Sequence, residues 1–192
     1  MDRFICIFLI AIAIFAILLF MQNNNSDITY ELSDIDNQEY LVRNLPDKKD
    51  AANLLATVKL KLIKLTTYLQ DKYPNKKSIM TLAKRFNPDN ISEGEGNSKY
   101  TSYSVNKGEK IVFCIRSRNS DEKLVDTNLL MFVALHELGH IMTKSVGHTE
   151  EFWNNFKFLL INAIEAGLYI KQNFRDKPVE YCGTQITDSP LR

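Results

Sequence analysis

Histidine and cysteine are both scarce in this chain of 192 residues, which contains three of each. Three cysteines are too few for the framework of a cysteine-rich secreted domain, and one of them, Cys6, lies in an apolar segment. The other two, Cys114 and Cys182, either form one disulfide or remain buried thiols. The chain also lacks internal repeats, which excludes a repeat architecture and leaves one compact domain as the expectation.

Net charge is small as well, at +1 for the whole chain, but it is unevenly distributed. Residues 43–85 contain eleven basic and three acidic side chains, a net charge of +8. A basic segment of this kind attracts the phosphate groups of nucleic acid or anionic lipid. The pattern is more typical of a solvated helix face, so neither partner is favoured.

The longest apolar run, residues 4–21, contains 18 residues and no charge. Its length meets the threshold for a transmembrane helix, since roughly 20 residues cross a bilayer. Its small residues lie inside the run and not at a cleavage site after it, which favours a retained anchor over a cleaved signal peptide. Arg3 before the run and acidic residues after it place the amino terminus in the cytoplasm and the rest of the chain outside it. We therefore predict a single-pass membrane protein.

The remainder divides into a polar segment and a domain. Residues 22–46 are acidic, rich in asparagine and without a sustained period, so we predict a poorly ordered stalk. The domain, residues 47–192, has apolar positions at helical spacing and one pair of strand-like runs separated by a turn at 106–109. Helices are predicted at about 47–70, 77–85, 129–142 and 150–171, and hairpin strands at 101–105 and 110–115. Asp126 or Thr127 caps the third helix, and Thr149 caps the fourth.

The segment HELGH, residues 136–140, lies on the third predicted helix. His136 and His140 are four residues apart, so both imidazoles face one side of the helix and can bind one Zn²⁺. Glu137 is placed beside that ion, where it can take a proton from a metal-bound water and act as the general base. The apolar helix before the motif would bury these polar groups, which is costly unless they have a function. Gly139, unfavourable inside a helix, indicates that another element approaches closely.

A catalytic zinc site needs a third protein ligand. His148 is the leading candidate because all three histidines of the chain fall between residues 136 and 148, and Gly147 permits a tight turn before it. The alternative is Glu165, on the last predicted helix, at a spacing typical of a carboxylate third ligand. Tyr181 is a candidate for stabilising the transition state, although packing is the better explanation for its presence.

The segment HELGHIMTKSVGHTEEFW, residues 136–153, resembles the active-site helix and third-ligand segment of the WLM and SprT-like zinc metallopeptidases. In these families HExxH is followed by a segment of the form GHxxxF, here residues 147–152, and similar anchored proteins occur in large DNA viruses. The resemblance implies a small α+β, zincin-like domain that uses Zn²⁺ and acts on proteins or peptides. It also implies a substrate-binding strand upstream of the active helix, for which Ile111–Arg116 is the candidate.

The leading functional prediction is therefore a zinc-dependent peptidase, tethered to a viral or host membrane, in which Glu137 activates water. One alternative is a membrane-anchored binding module that zinc stabilises but that catalyses nothing. Another is the role known for the resembled families in degrading protein crosslinked to DNA, which the basic segment 43–85 would permit.

Overall fold

The computed structural model describes residues 3–24, 27–96 and 98–191; within the first helix it describes the side chains of residue 5 and residues 7–17. These residues form a small mixed α/β domain preceded by one helix. The helices are α1 (Arg3–Asn24), α2 (Lys48–Lys72), α3 (Lys77–Arg85), α4 (Thr127–Met142) and α5 (Glu150–Glu165). The strands are β1 (Ile28–Leu32), β2 (Glu39–Arg43), β3 (Ile91–Glu93), β4 (Ser102–Val105), β5 (Lys110–Phe113), β6 (Val179–Tyr181) and β7 (Thr184–Ile186).

Helix α4 lies at the centre of the hydrophobic core. It packs against α2, α3 and α5, and its residues 129–135 are all buried. Helix α2 presents Leu55, Leu62 and Leu69, spaced seven residues apart and fully buried, to the same core. An apolar helix surrounded on several sides holds its carboxyl-terminal residues in a fixed position, which matters for the site described below.

The predicted β-hairpin is confirmed, and it belongs to a three-stranded sheet in the order β3–β5–β4. Strand β5 pairs with β4 in antiparallel fashion and with β3 in parallel. The connection between β4 and β5 is tight, with positive φ at Asn106, Lys107 and Gly108. A β-carbon at Gly108 would lie 2.6 Å from the carbonyl oxygen of Arg85, so this turn requires glycine.

The structure differs from the expected stalk at residues 22–46, because β1 and β2 form an antiparallel hairpin there. On β2, Tyr40 and Val42 face inward and are buried against α2, and the Tyr40 hydroxyl donates to a carboxylate oxygen of Asp36 over 2.7 Å. The alternation that produces this packing spans only a few residues among acidic neighbours, so it is too short to stand out as a strand. Residues 25 and 26 lie outside the described residues.

The last helix is shorter than predicted and ends at Glu165, not at residue 171. Gly167 has a φ of +68°, and the main-chain N–H of Leu168 donates to the carbonyl of Ala163 over 2.8 Å. This is the geometry of a glycine-terminated helix, in which a left-handed residue closes the last turn.

The predicted membrane anchor at residues 4–21 is corrected. In the part of the chain that the structure describes, no helix is sufficiently long and apolar to cross a membrane. The side chains of residues 4, 6 and 18–21 lie outside those described. The lack of a membrane-spanning helix among the described residues overturns the prediction of a single-pass membrane protein.

Several charges of the basic segment 43–85 are engaged within the fold. Lys59 is 7% exposed and lies 3.5 Å from a carboxylate oxygen of Asp36. Arg43 pairs with Glu122 at 2.6 Å, and Lys72 pairs with Glu165. These ion pairs reduce the positive charge that the segment offers to a polyanion.

Candidate metal centre

Helix α4 positions the residues of the HELGH segment. The carboxylate of Asp126 caps the helix by accepting hydrogen bonds from the main-chain N–H groups of Asn128 and Leu129, at 2.8 and 3.1 Å. Of the two predicted caps, Asp126 and not Thr127 is therefore used. The helix is fixed at this end and buried along its length, so side chains of its last two turns lie in the wall of a cleft.

The three histidines converge at one point. The Nε2 atom of His136 lies 3.2 Å from Nε2 of His140 and 3.0 Å from Nε2 of His148. The candidate ligand atoms of all three residues lie within 4.8 Å of one another. Nitrogen ligands at about 2.05 Å from a tetrahedral zinc ion are roughly 3.3 Å apart, so the two distances from His136 match the spacing of zinc ligands.

The protonation state of the histidines also suits a metal. Burial, reinforced by the neighbouring imidazoles, lowers the pKa of His136 to about 3. Burial likewise lowers the pKa of His140 to about 4, with smaller contributions from His148 and Lys107. At neutral pH both rings are therefore uncharged and present lone pairs, which is the form that binds metal.

The short loop after α4 brings His148 back to the helix. The carboxylate of Glu151 accepts hydrogen bonds from the main-chain N–H groups of Lys144 and Ser145, at 3.2 and 3.3 Å. Gly147 has a φ of +82°, and Thr149 caps α5, as the sequence predicted. The loop is thus held at both ends by α5, which fixes His148 opposite the two helical histidines.

Two basic side chains hold the carboxyl-terminal end of α4. The guanidinium of Arg85 donates to the carbonyls of Ile141 and Thr143, both at 3.2 Å. The ammonium of Lys107 donates to the carbonyls of Thr143 and Ser145, at 3.1 and 2.6 Å. Cations at this end of a helix satisfy its free carbonyls and complement its dipole, so the turn that carries His140 is anchored to both α3 and the β4–β5 turn.

Glu137 lies beside the histidines and is 4% exposed. Burial raises the pKa of its carboxyl group to about 7, while hydrogen bonds from the side chain and main chain of Ser104 oppose that shift. Ser104 is on β4, so the sheet and the helix meet at this carboxylate. A buried carboxyl group that is held in place and titrates near neutrality has the properties of a general base.

The other candidate residues lie elsewhere. Glu165, the alternative third ligand, is at the end of α5, where its carboxylate pairs with Lys72. Tyr181 lines the cleft, but its hydroxyl donates to the carbonyl of Cys114 over 2.6 Å and therefore accepts from the hydroxyl of Ser102 at 2.7 Å. The single phenolic proton is thus engaged within the protein.

The strand that borders the cleft is β4, and the prediction that Ile111–Arg116 lies along the substrate is wrong. Strand β5, which begins that segment, is in the middle of its sheet, with β3 and β4 on its two sides. The cleft has a volume of about 670 Å³ and is lined by β4, α4, the loop with His148 and the β6–β7 hairpin. Sequence periodicity identified both hairpin strands but carries no signal for which of them is the edge.

The question left open for the cysteines is answered, because Cys114 and Cys182 form a disulfide. Cys182 lies in the turn between β6 and β7, where it has a φ of +50° and is followed by Gly183 at +79°. The bond therefore ties the hairpin that lines the cleft to the residue that follows β5.

Comparison with known proteins identifies relatives of this chain. The family model of the WLM domain matches residues 36–190. An uncharacterized protein of Acanthamoeba polyphaga mimivirus is 35% identical over 186 residues, covering 94% of each chain. An uncharacterized protein of Invertebrate iridescent virus 6 is 42% identical over 69 residues, which cover 35% of this chain and 38% of that protein. The structure of a Wss1 mutant from Saccharomyces cerevisiae has a TM-score of 0.50 at 23% identity, covering 67% of this chain and 91% of that chain, and is similar in fold.

Proposed function

This chain belongs to the WLM domain family, and from that premise we propose that it is a zinc-dependent peptidase. The observation that carries the proposal is the convergence of three imidazole nitrogens beside a buried carboxyl group in an open cleft. The family model matches residues 36–190, and this range includes Glu137, the three histidines and Tyr181.

His136, His140 and His148 would hold the metal ion. Zn²⁺ when bound supplies a Lewis acid, which acidifies water and polarises a substrate carbonyl. Three imidazole ligands leave a fourth position open, which distinguishes a catalytic site from a structural one with four protein ligands.

Glu137 is the proposed base. Its carboxylate takes a proton from the attacking water as the water oxygen bonds to the peptide carbonyl carbon, and it returns that proton to the nitrogen of the departing amine when the C–N bond breaks. The products are one carboxylic acid and one amine, so the reaction requires no further reactant. Ser104 holds the carboxylate in place through the hydrogen bonds described above.

The free edge of β4 is the proposed site for the substrate main chain. The main-chain N–H of Cys114 donates to the carbonyl of Thr101 over 2.8 Å, so Thr101 faces β5. By the alternation of a strand, the main-chain groups of Ser102 and Ser104 face away from β5, toward α4 and the cleft. The main-chain N–H of Ser104 already donates to Glu137, so at this residue the carbonyl is the group left for a substrate. An extended peptide can add to this edge through main-chain hydrogen bonds, a mode that places few demands on sequence.

The test uses the full chain and an unfolded protein as substrate. We expect the wild type to carry one zinc ion per chain and to cleave, and Glu137→Gln to keep the zinc but lose at least about 100-fold in cleavage rate. Glu150→Gln is the matched control, because Glu150 is an exposed carboxylate in the first turn of α5. Equal cleavage by E137Q and wild type would refute the assignment of the base. The alternative of a zinc-stabilised, catalytically silent module predicts instead that the wild type binds zinc and never cleaves.

A further inference from the structure

A second cavity adjoins the cleft, and the two share Phe132 and His136 in their walls. It has a volume of about 520 Å³. One wall is aromatic and comes from Phe132, Trp153 and Phe156. The opposite wall is the segment after β7, residues 188–190. The function proposed above uses the first cavity and leaves this second one without a role.

The aromatic wall is built from packed side chains. The rings of Phe132 and Phe156 are 5.2 Å apart at their centroids, and Phe156 is 1% exposed. The ring of Phe156 also lies 5.2 Å from that of His136, in an edge-to-face arrangement. Trp153 is 44% exposed, and its ring lies 5.5 Å from that of His148. A large apolar surface therefore remains accessible, and it contacts two candidate zinc ligands, His136 and His148.

The chemistry of this cavity favours one class of side chain. The carboxylate of Asp188 on the opposite wall pairs with Arg175 at 3.0 Å, so its charge is already compensated. A charged side chain entering from a substrate would lose its hydration against the aromatic rings, which is unfavourable. An apolar or aromatic side chain would gain burial and ring contacts there.

We propose that this cavity is the specificity pocket of the enzyme and accepts a large apolar side chain of the residue adjoining the bond that is cut. Trp153 is its specificity-determining residue, because it provides the exposed part of the aromatic wall. The inference rests on the proposed peptidase function, since the pocket adjoins the proposed zinc site at His136.

Trp153 is the single tryptophan of the chain, so its fluorescence reports directly on the pocket. In the Glu137→Gln variant, peptides that differ only by Phe, Leu, Ala or Asp at one position are titrated against this signal. We expect saturable binding of the Phe and Leu peptides about tenfold or more tighter than that of the Ala peptide, and weaker binding still for Asp. In the wild type, the same series should be cleaved with a similar ratio of kcat/KM.

Two substitutions test the walls. Trp153→Ala removes the accessible aromatic surface, and Ser189→Trp fills the pocket from the opposite wall. Each should bring the Phe-to-Ala ratio of kcat/KM close to one while zinc content stays at one per chain. Ile161→Ala is the matched control, because Ile161 is an exposed apolar residue of the same helix outside the pocket, and it should leave the ratio unchanged.

The outcomes separate the two proposals. If Phe and Ala peptides bind E137Q equally and the wild type cuts them equally, the pocket assignment is overturned and the peptidase assignment stands. If W153A slows cleavage of all peptides by the same factor, the role of Trp153 is structural and the pocket assignment also fails. Tight binding of Phe peptides without any cleavage by the wild type would support the pocket and refute the peptidase.

Discussion

A β-carbon at Gly139 would lie only 3.1 Å from Cε2 of Phe152, so α4 and α5 approach closely at the turn between the two helical histidines. The same phenyl ring stacks on the imidazole of His140, with centroids 4.3 Å apart. The expectation that a glycine inside this helix marks a close approach by another element is thus confirmed. The contact links packing to the site, because the ring that fills the space at Gly139 also supports a candidate zinc ligand.

Substitution of Gly139 by alanine should destabilise the protein and weaken zinc binding. Alanine favours the helix by about 1 kcal/mol, but overpacking a core costs about 1–3 kcal/mol. Phe152 is fully buried and cannot easily move, so we expect a net loss of up to about 2 kcal/mol in the free energy of unfolding. Urea denaturation and competition with a zinc chelator measure the two effects. In the background Phe152→Leu, where the side chain is smaller, G139A should cost less; an equal cost in both backgrounds would argue against this contact as the cause.

The third zinc ligand is predicted to be His148 and not Glu165. Replacement of His148 by alanine should lower zinc affinity by more than the roughly 10- to 100-fold that loss of a supporting residue causes. Replacement of Glu165 by glutamine changes its contacts with Lys72 and Tyr68, away from the histidines, and should leave the affinity within about twofold. Isothermal titration with Zn²⁺ compares the variants. The assignment of His148 would be wrong if E165Q lost the metal and H148A retained it.

Much of the candidate site could be predicted because it is local in sequence. The spacing of the HELGH segment, the capping residues Asp126 and Thr149, and the return of the chain to His148 all depend on neighbours within about a dozen residues. The edge position of β4 could not be predicted in this way. It depends on the parallel pairing of β5 with β3, which joins residues about twenty positions apart in the sequence. Pairing over this separation leaves no periodic pattern in the sequence.

Two other features of the fold had weak signals in the sequence. Gly167 directly follows Ala166 at the end of α5, and a glycine just past an apolar periodic run is a recognised stop for a helix. The β6–β7 hairpin has Cys182-Gly183 at its turn, where glycine readily takes the positive φ that is observed. Its strands have three residues each, which is too short for alternation to identify them.

Tyr181 is predicted to support the structure more than the chemistry. Its hydroxyl accepts from Ser102 and donates to the carbonyl of Cys114, so Tyr181→Phe leaves buried partners unsatisfied and should cost about 1–3 kcal/mol in the free energy of unfolding. The rate kcat should fall by less than about tenfold. A residue that donates to a developing oxyanion typically contributes 100-fold or more, so a loss of that size at unchanged zinc content would instead assign Tyr181 to the transition state.

Reduction of the disulfide between Cys114 and Cys182 should destabilise the protein. The two cysteines are 68 residues apart in sequence, and a crosslink over such a loop contributes about 4 kcal/mol in the chain-entropy account, with typical values of 2–5 kcal/mol. Because the bond holds the β6–β7 hairpin at the cleft, cleavage should fall while the zinc ligands on other elements still bind metal. Thermal denaturation and zinc content are compared with and without dithiothreitol. The double variant C114S/C182S is the control, and it should not respond to the reductant.

The metal-free protein should lose stability as the pH falls below about 6.5. Burial lowers the pKa of His136 to about 3 and that of His140 to about 4, whereas both are near 6.5 in the unfolded chain. Between pH 6.5 and about 4 the unfolded chain therefore binds protons that the folded protein does not, which lowers the free energy of unfolding by on the order of 1 kcal/mol per pH unit for each histidine. Glu137 acts in the opposite direction, because its pKa of about 7 in the folded protein lies above that in the unfolded chain, so it offsets about one of the two histidines and leaves a net loss. Urea denaturation in the presence of a chelator, at pH 7.5 to 5, measures this slope. His140→Gln should make it shallower, because one of the two groups no longer titrates; an identical slope in that variant would mean that other groups cause the loss.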